Sequence, residues 1–460
     1  MATVVVIGGG ITGLTAALRL RQVPNPPDVI LLESSNRLGG KILTTPFAGL
    51  PAVDAGPDAV LARVPWATDL FTELGLGDEL VAPAVASASI WWDHVLHPIP
   101  DGLVLGVPAG LPSLARSKLL TGRGKARAAV EPLRPRGLGG IADNLGAAVR
   151  HRFGDEVLER LVDPLLGGIN AGDADRLSLS AAAPQIAEVA ARHRSLLLGL
   201  RLTRPAFPRR AKAAPPPVFL TPRAGLGSVI ERLTARLGDV DVRLGHSVDR
   251  IGRTPGGWRI DGIEADAIIL AAPAGSAATV LRGVSSTAAR LLGGIPYASV
   301  AMVTLAFDRP DVGHSLDGSG YLVPKPQQKT VTACSFGSSK WPHWQTAGQV
   351  IVRASLGRDG NDDVLDGRDE EIVATAVDEL REPLQLRSDP VATRVTRWPQ
   401  AFPQYRPGHL ERVKAIDETM ARDAAGIVVA GAAYRGVGIP ACIRQGGEAA
   451  RAALGYLASR

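Results

Sequence analysis

Short apolar runs alternate with helix-period segments at both ends of the chain. Thr3–Ile7 (TVVVI) is a β-branched run that predicts a buried parallel strand. Gly8, Gly9 and Gly10 break it, and residues 11–21 place Ile11, Leu14, Ala17 and Leu18 on one face of a helix. Pro24, Pro26 and Pro27 stop that helix, and 29–33 (VILLE) begins a second strand. Helices are expected at 66–76, 140–151, 155–166 and 180–199, then a Pro- and Arg-rich linker from Arg204 to Pro217. Strands are expected at 240–244, 247–251, 257–260, 266–270, 299–307, 320–323, 330–336 and 349–356. A helix at 369–381, a strand at 427–431 and a helix at 441–458 complete the pattern.

This order predicts an α/β fold whose Rossmann-type domain is discontinuous: the chain leaves it, builds other parts and returns. Its expected segments are 1–84, 213–275 and 395–460. A helical capping part spans 85–212, and a β-rich substrate part spans 276–394.

The first chemical motif is Gly8-Gly9-Gly10-Ile11-Thr12-Gly13, a GxGxxG between strand and helix. Its glycines permit a tight turn, close approach of a pyrophosphate and tight helix–strand packing, with the phosphate on the helix N-terminus. Glu33 follows Gly13 by 20 residues, at the end of the second strand, where a carboxylate accepts ribose hydroxyls. NAD(P) and FAD share this fingerprint. Two glycine turns follow, in Glu33-Ser34-Ser35-Asn36-Arg37-Leu38-Gly39-Gly40-Lys41 and in Asp54-Ala55-Gly56-Pro57-Asp58-Ala59. Near the C-terminus, residues 430–446 (AGAAYRGVGIPACIRQG) put a strand, a glycine-rich turn and a Pro-started helix in series. That helix N-terminus suits the electron-rich edge of a reduced flavin.

These segments resemble the amine oxidase-like FAD superfamily. Within it they are similar to the flavin-dependent oxidases that convert porphyrinogens to porphyrins in haem synthesis. Residues 56–83, 164–178 (PLLGGINAGDADRLS) and 398–409 (WPQAFPQYRPGH) carry the same likeness, so the resemblance spans the chain. It is strongest to the Gram-positive bacterial branch, whose substrate is coproporphyrinogen III. The resemblance implies that Gly8, Gly9, Gly10, Ile11, Thr12 and Gly13 hold the FAD pyrophosphate and Glu33 its ribose. It implies that Lys41, Gly56, Pro57, Asp58 and Ala59 line the inner stretch, and that Val248 meets the adenine through its backbone. Trp398, Val437, Gly438 and Ile439 would lie by the flavin ring, and Gly168 where the porphyrinogen carbon faces flavin N5. The implied chemistry is hydride transfer to N5, with oxygen or another acceptor reoxidising the flavin, and the hard chemistry belongs to the cofactor. No acid or base residue is identified. Asn170 and Ala441 depart from the family pattern, where an aromatic and an acid are common.

Alternatives within the fold are a protoporphyrinogen IX oxidase, an amine oxidase or a carotenoid desaturase. Outside enzymes, a flavin-free module like the Rab GDP-dissociation inhibitors shares the architecture. An NADPH-using hydroxylase would need a second nucleotide fingerprint, and 225–228 and 436–438 lack its spacing.

Composition adds little. The 460 residues are 45% hydrophobic and 21% charged, which fits a globular chain. Aromatics are 4%, so base stacking on nucleic acid is disfavoured. Arg and Lys outnumber Asp and Glu by 51 to 45, a net +6. Arg116, Lys118, Arg123, Arg192, Arg194 and Arg201 are candidates for the substrate's propionates, against the plainer reading of solvated helix faces. Two distant cysteines, Cys334 and Cys442, build no disulfide framework. Cys442 at a helix start could have a lowered pKa, or be a small buried residue. His94 and His97 lack a third ligand, so no metal is expected. Trp341 and Trp344 around His343 read as packing. No signal peptide or spanning run is seen, so a cytoplasmic location is expected, with peripheral membrane contact and a downstream haem-pathway enzyme left open as partners.

Overall fold

A computed structural model describes residues 2–135, 143–203 and 217–460. The linker expected at 204–217 lies almost wholly outside the described residues, as does the start of the helix expected at 140–151.

Five parallel strands form the first sheet, in the order Asp241–Arg243, Asp28–Leu32, Thr3–Ile7, Ala267–Leu270, Ile427–Val429. By chain position this is 3-2-1-4-5, so the order reverses beside Thr3–Ile7. In open α/β sheets ligands bind at the carboxyl ends of the strands, at such a reversal. Val4, Val5 and Val6 are fully buried because helices cover both faces. On one face lie helices Ile11–Arg21, Pro65–Glu73, Gly227–Ala235 and Ile439–Ala458. On the other lie Ala274–Leu281, Ser286–Gly293 and His409–Asp423. Helix Ile11–Arg21 packs side by side with the C-terminal helix on this face, so closely that a Cβ on Gly446 would overlap the Thr12 carbonyl oxygen. Truncating the fully buried Leu14 to Ala would cost about 2–5 kcal/mol.

The second sheet has seven strands, in the order Ala392–Pro403, Tyr297–Asp308, Gln349–Leu356, Val331–Ser335, Gly320–Leu322, Ser89–Trp92, Val95–Pro98. Neighbours are antiparallel except Gly320–Leu322 against Ser89–Trp92. Helix Asp369–Leu384 covers one face. Two of the expected boundaries cut through this sheet. Ala392–Pro403 straddles residue 395 yet pairs along most of its length with Tyr297–Asp308. Ser89–Pro98 falls inside 85–212 yet supplies the opposite edge.

The helical part has its own core around Leu145, Val149, Phe153, Leu161 and Leu197. The helix expected at 155–166 runs on to Asn170, with a π-helical turn over Leu158–Val162. Pro164 explains the irregularity: it has no N–H to donate and its ring crowds the carbonyl four residues back. The strand expected at 247–251 is corrected too. Residues 244–250 form no ladder, and the strand begins at Ile251.

Candidate functional site

At the carboxyl end of Thr3–Ile7 the chain turns at Gly8, whose φ of +111° is open to glycine and strained for other residues. A Cβ on Gly13 would overlap the Gly8 carbonyl oxygen, so only glycine lets the helix start this close to the strand. Gly10, by contrast, has an ordinary φ of −73°, and nothing lies within 4 Å of where its Cβ would be. Among the described residues, the side of Gly10 that a Cβ would occupy faces open space at the mouth of helix Ile11–Arg21, while the Gly39–Gly40 turn packs beside its Cα. No side chain caps that helix and no acid sits in its first turn, so its free amides and positive end are available to an anion.

Glu33 is fixed beside this mouth. Its Oε2 accepts from Gly9 N at 2.7 Å and its Oε1 from Ser35 N at 2.8 Å. A carboxylate has about four lone-pair sites, so capacity remains for hydroxyl donors. The loop carrying Val248 closes on the same place, with His246 N donating to Glu33 O at 2.9 Å and Gly245 N to Ser35 O at 2.8 Å. The Gly39–Gly40 turn crosses the first loop directly: Gly39 N donates to Gly9 O at 2.8 Å, and Gly10 and Gly39 form a β-bridge.

The C-terminal helix repeats the pattern of the first. Gly438 is its N-cap, no side chain caps it, and its first turn holds no acid. Val437 and Ile439 are half-buried and Gly438 is exposed. Thus two uncapped helix mouths with no acid in the first turn are offered by helices packed side by side. Cys442 sits between them, bonded by the Thr12 hydroxyl. Burial pushes its thiol up to about 11, which overturns the lowered pKa considered for it.

The Asp54–Ala59 turn is held differently. Lys41 O would lie 2.5 Å from a Cβ on Gly56, and the Trp398 ring packs on the same glycine while its Nε1 donates to Ala55 O at 3.1 Å. Lys41 is exposed, yet enough protein surrounds its ammonium for desolvation to lower its pKa. The Asp58 carboxylate takes Lys340 Nζ at 2.9 and 3.0 Å and Trp341 Nε1 at 3.0 Å, with Arg353 3.3 Å away, which leaves its backbone for the inner stretch expected of it. Burial alone would raise this carboxyl, but the Lys340 and Arg353 charges and the Trp341 donor hold it well below the usual range. Asp54, four residues earlier, goes the other way. Burial raises it to about 6, against hydrogen bonds from the Thr44 hydroxyl and from Leu226 N at 3.0 Å. Arg394 donates to Thr45 Oγ1 at 2.6 Å and Val53 O at 3.2 Å, and burial lowers it to about 10.

Gly168 lies on the exposed side of helix Asp163–Asn170, and a Cβ there would touch only Leu322, at 3.4 Å. Asn170 is buried and bonds back to Leu166 O at 2.9 Å. Its own carbonyl takes Gln404 Nε2 at 2.9 Å. The sequence reading assigned no role to Gln404, Tyr405, Lys340, Arg353 or Arg394. The PQYRPGH run was the one signal that pointed at the first two.

Among the other candidates, Arg192 pairs with Glu188 at 2.8 Å, and Arg194 donates to the carbonyls of Arg134 and Leu133. Arg116, Lys118, Arg123 and Arg201 are exposed. His94 Nδ1 is 2.7 Å from Glu382. Trp341 and Trp344 are fully buried with Phe47, Val53 and Ile351. Among the described residues, no helix is long and apolar enough to cross a membrane.

Comparison with known proteins gives this arrangement a family. The model for flavin containing amine oxidoreductases matches residues 11–454. The coproporphyrinogen III oxidase of Bacillus subtilis is 35% identical over 99% of this chain and 98% of its own. That of Staphylococcus aureus is 32% identical over 99% of each chain. A solved structure from Exiguobacterium, provisionally named a protoporphyrinogen oxidase, superposes with a TM-score of 0.86 at 32% identity and covers 98% of both chains. The open cradle at Gly10 and the two uncapped helix mouths fit a flavin nucleotide, and the chain belongs to the flavin containing amine oxidoreductase family.

Proposed function

We propose that this chain is an FAD-dependent coproporphyrinogen III oxidase acting in haem synthesis. The observation that carries the reading is an intact nucleotide cradle in a chain that matches coproporphyrinogen III oxidases from end to end. When bound, the flavin supplies a two-electron acceptor that takes hydride from a ring carbon of the porphyrinogen.

The protein's part is placement. Gly8, Gly9, Gly10, Ile11, Thr12 and Gly13 offer backbone amides to the pyrophosphate, and Glu33 accepts the ribose hydroxyls. Lys41 and Gly56, Pro57, Asp58 and Ala59 line the stretch toward the ring, Asp58 by its backbone since its carboxylate is engaged elsewhere. Val248 meets the adenine through its backbone. Trp398, Val437, Gly438 and Ile439 border the ring, and the uncapped helix Ile439–Ala458 favours negative charge there. Gly168 acts by having no side chain, which leaves room for a flat macrocycle. Protons from the pyrrole N–H groups would pass to water or to a backbone carbonyl. Exposed Arg and Lys residues of the helical part would meet the propionates. A cytoplasmic location, with peripheral membrane contact and a transient contact with a downstream haem-pathway enzyme, would suit this reading.

The test supplies coproporphyrinogen III and protoporphyrinogen IX separately to purified yellow protein in air, with porphyrin fluorescence followed over time. Faster oxidation of the tetracarboxylate, well above the spontaneous rate, is expected. Preference for protoporphyrinogen would reassign the substrate, and no catalysis of either would overturn the reading.

A further inference from the structure

We propose that Gln404–Tyr405–Arg406 is a positioning strut that sets the flavin-facing loop against the helix bearing Gly168. It rests on the flavin and porphyrinogen reading above.

Three consecutive side chains reach three different elements. Gln404, fully buried, donates from Nε2 to Asn170 O at 2.9 Å, the last residue of helix Asp163–Asn170. Tyr405, 5% exposed, spans the neck of the loop before Val437–Gly438–Ile439. Its hydroxyl donates to Ala432 O at 2.6 Å and accepts from Gly436 N at 2.8 Å. One oxygen therefore satisfies a donor and an acceptor four residues apart and closes the loop on itself. Arg406 clasps Asp359 with contacts of 2.7 and 2.8 Å, and Asp359 N donates to Ala171 O at 2.8 Å. Backbone bonds hold the strut itself: Gln404 N to Pro296 O at 2.8 Å and Ser178 N to Tyr405 O at 2.7 Å. His409 stacks on Tyr405 with ring centroids 3.9 Å apart, and its Nε2 donates to Tyr434 O at 3.0 Å in the same loop.

The consequence is mechanical. The loop end that borders the flavin ring and the helix end that borders the substrate are bonded to adjacent residues of one rigid segment. Losing one side-chain bond should shift one side of the reacting pair and leave the other in place. Buried hydrogen bonds left half-made favour such a shift, because the abandoned partner seeks water or another donor.

Two substitutions separate the arms. Tyr405→Phe removes only the hydroxyl. It is expected to weaken FAD binding to the apoprotein at least tenfold and to shift the visible flavin bands. Gln404→Leu is expected to bind FAD within twofold of the unmodified protein and to lose at least tenfold in kcat on whichever porphyrinogen that protein oxidises. Hydrogen exchange on the unmodified apoprotein needs no variant: the Gly436 amide is expected to exchange at least a hundredfold more slowly than the Gly438 amide. Lower melting temperatures for both variants, with FAD affinity, flavin bands and kcat per bound flavin unchanged, would overturn the strut. So would equal exchange at Gly436 and Gly438. Failure of the unmodified protein to bind FAD or to oxidise any porphyrinogen would instead defeat the functional reading, and the exchange result would stand apart from it.

Discussion

The two ends of the proposed cofactor-binding surface are held in opposite ways. At the first, Gly8–Gly13 and Glu33 are fixed mainly by backbone geometry: a +111° φ, a helix start too close for any Cβ, two amides on one carboxylate, and backbone bonds from Gly39 and His246. At the other, Asp54–Asp58 is held by charges from distant segments: the buried Arg353 and the half-buried Lys340 and Arg394. The first end leaves its donors open for a ligand. The second uses up its charge on itself and ties the parallel-sheet domain to the seven-stranded sheet. An aspartate in a glycine turn next to a nucleotide fold is therefore not by that fact a ligand.

The largest effect should come from breaking the charged end. Asp58→Asn takes from Arg353, 3% exposed, the carboxylate it pairs with at 3.3 Å, and removing one partner of a buried pair costs about 3–5 kcal/mol. Chemical denaturation of the apoprotein at neutral pH would show the loss. Because the Asp58 carboxyl is depressed in the fold, its contribution is full above the ordinary carboxylate range and disappears as pH falls.

Asp54 should show the opposite limb. Its pKa rises to about 6 in the fold from 3.8, so stability should fall as pH rises from about 4 to about 6 and level off above. The full difference is on the order of 3 kcal/mol. Asp54→Asn should flatten that limb, and denaturation midpoints at pH 4, 5, 6 and 7 would reveal whether it does.

A smaller effect is expected at the first end. Glu33→Gln keeps an acceptor for Gly9 N but loses the charge that strengthens bonds from ribose hydroxyls. FAD affinity should drop by roughly tenfold, about 1.4 kcal/mol, with little change in apoprotein melting. An unchanged affinity would mean that Glu33 serves only to brace the loop.

How legible each end was in the sequence follows the same division. Helix Ile11–Arg21 and strand Gln349–Leu356 have the bounds their periodicity predicts, because their stops are local: Gly10 and Pro24 for the helix, Gly348 and Gly357 for the strand. Helix His409–Asp423 was overlooked although Val413, Ile416 and Met420 mark its buried face, since charged residues separate them. Strand Ala392–Pro403 was hidden by its charges and by Pro399, and only its pairing with Tyr297–Asp308 defines it. The Asp58 cluster could not be read at all: Lys340 and Arg353 lie 282 and 295 residues away in sequence, and their charges meet only when the two sheets pack. Tyr405 and Gln404 stood in a recognised run, but what they hold is set by tertiary contacts.

Gly10→Ala gives the sharpest measurement. Its φ suits any residue and its Cβ would meet no protein atom, so the apoprotein should melt within about 0.5 kcal/mol of the unmodified chain. The methyl group would instead occupy the space offered to the pyrophosphate. FAD titration and coproporphyrinogen oxidation, run on both proteins, should show at least a tenfold loss of flavin affinity and a rate that tracks bound flavin. Undiminished affinity, or oxidation by protein that carries no flavin, would contradict the assignment of this cradle as the cofactor site.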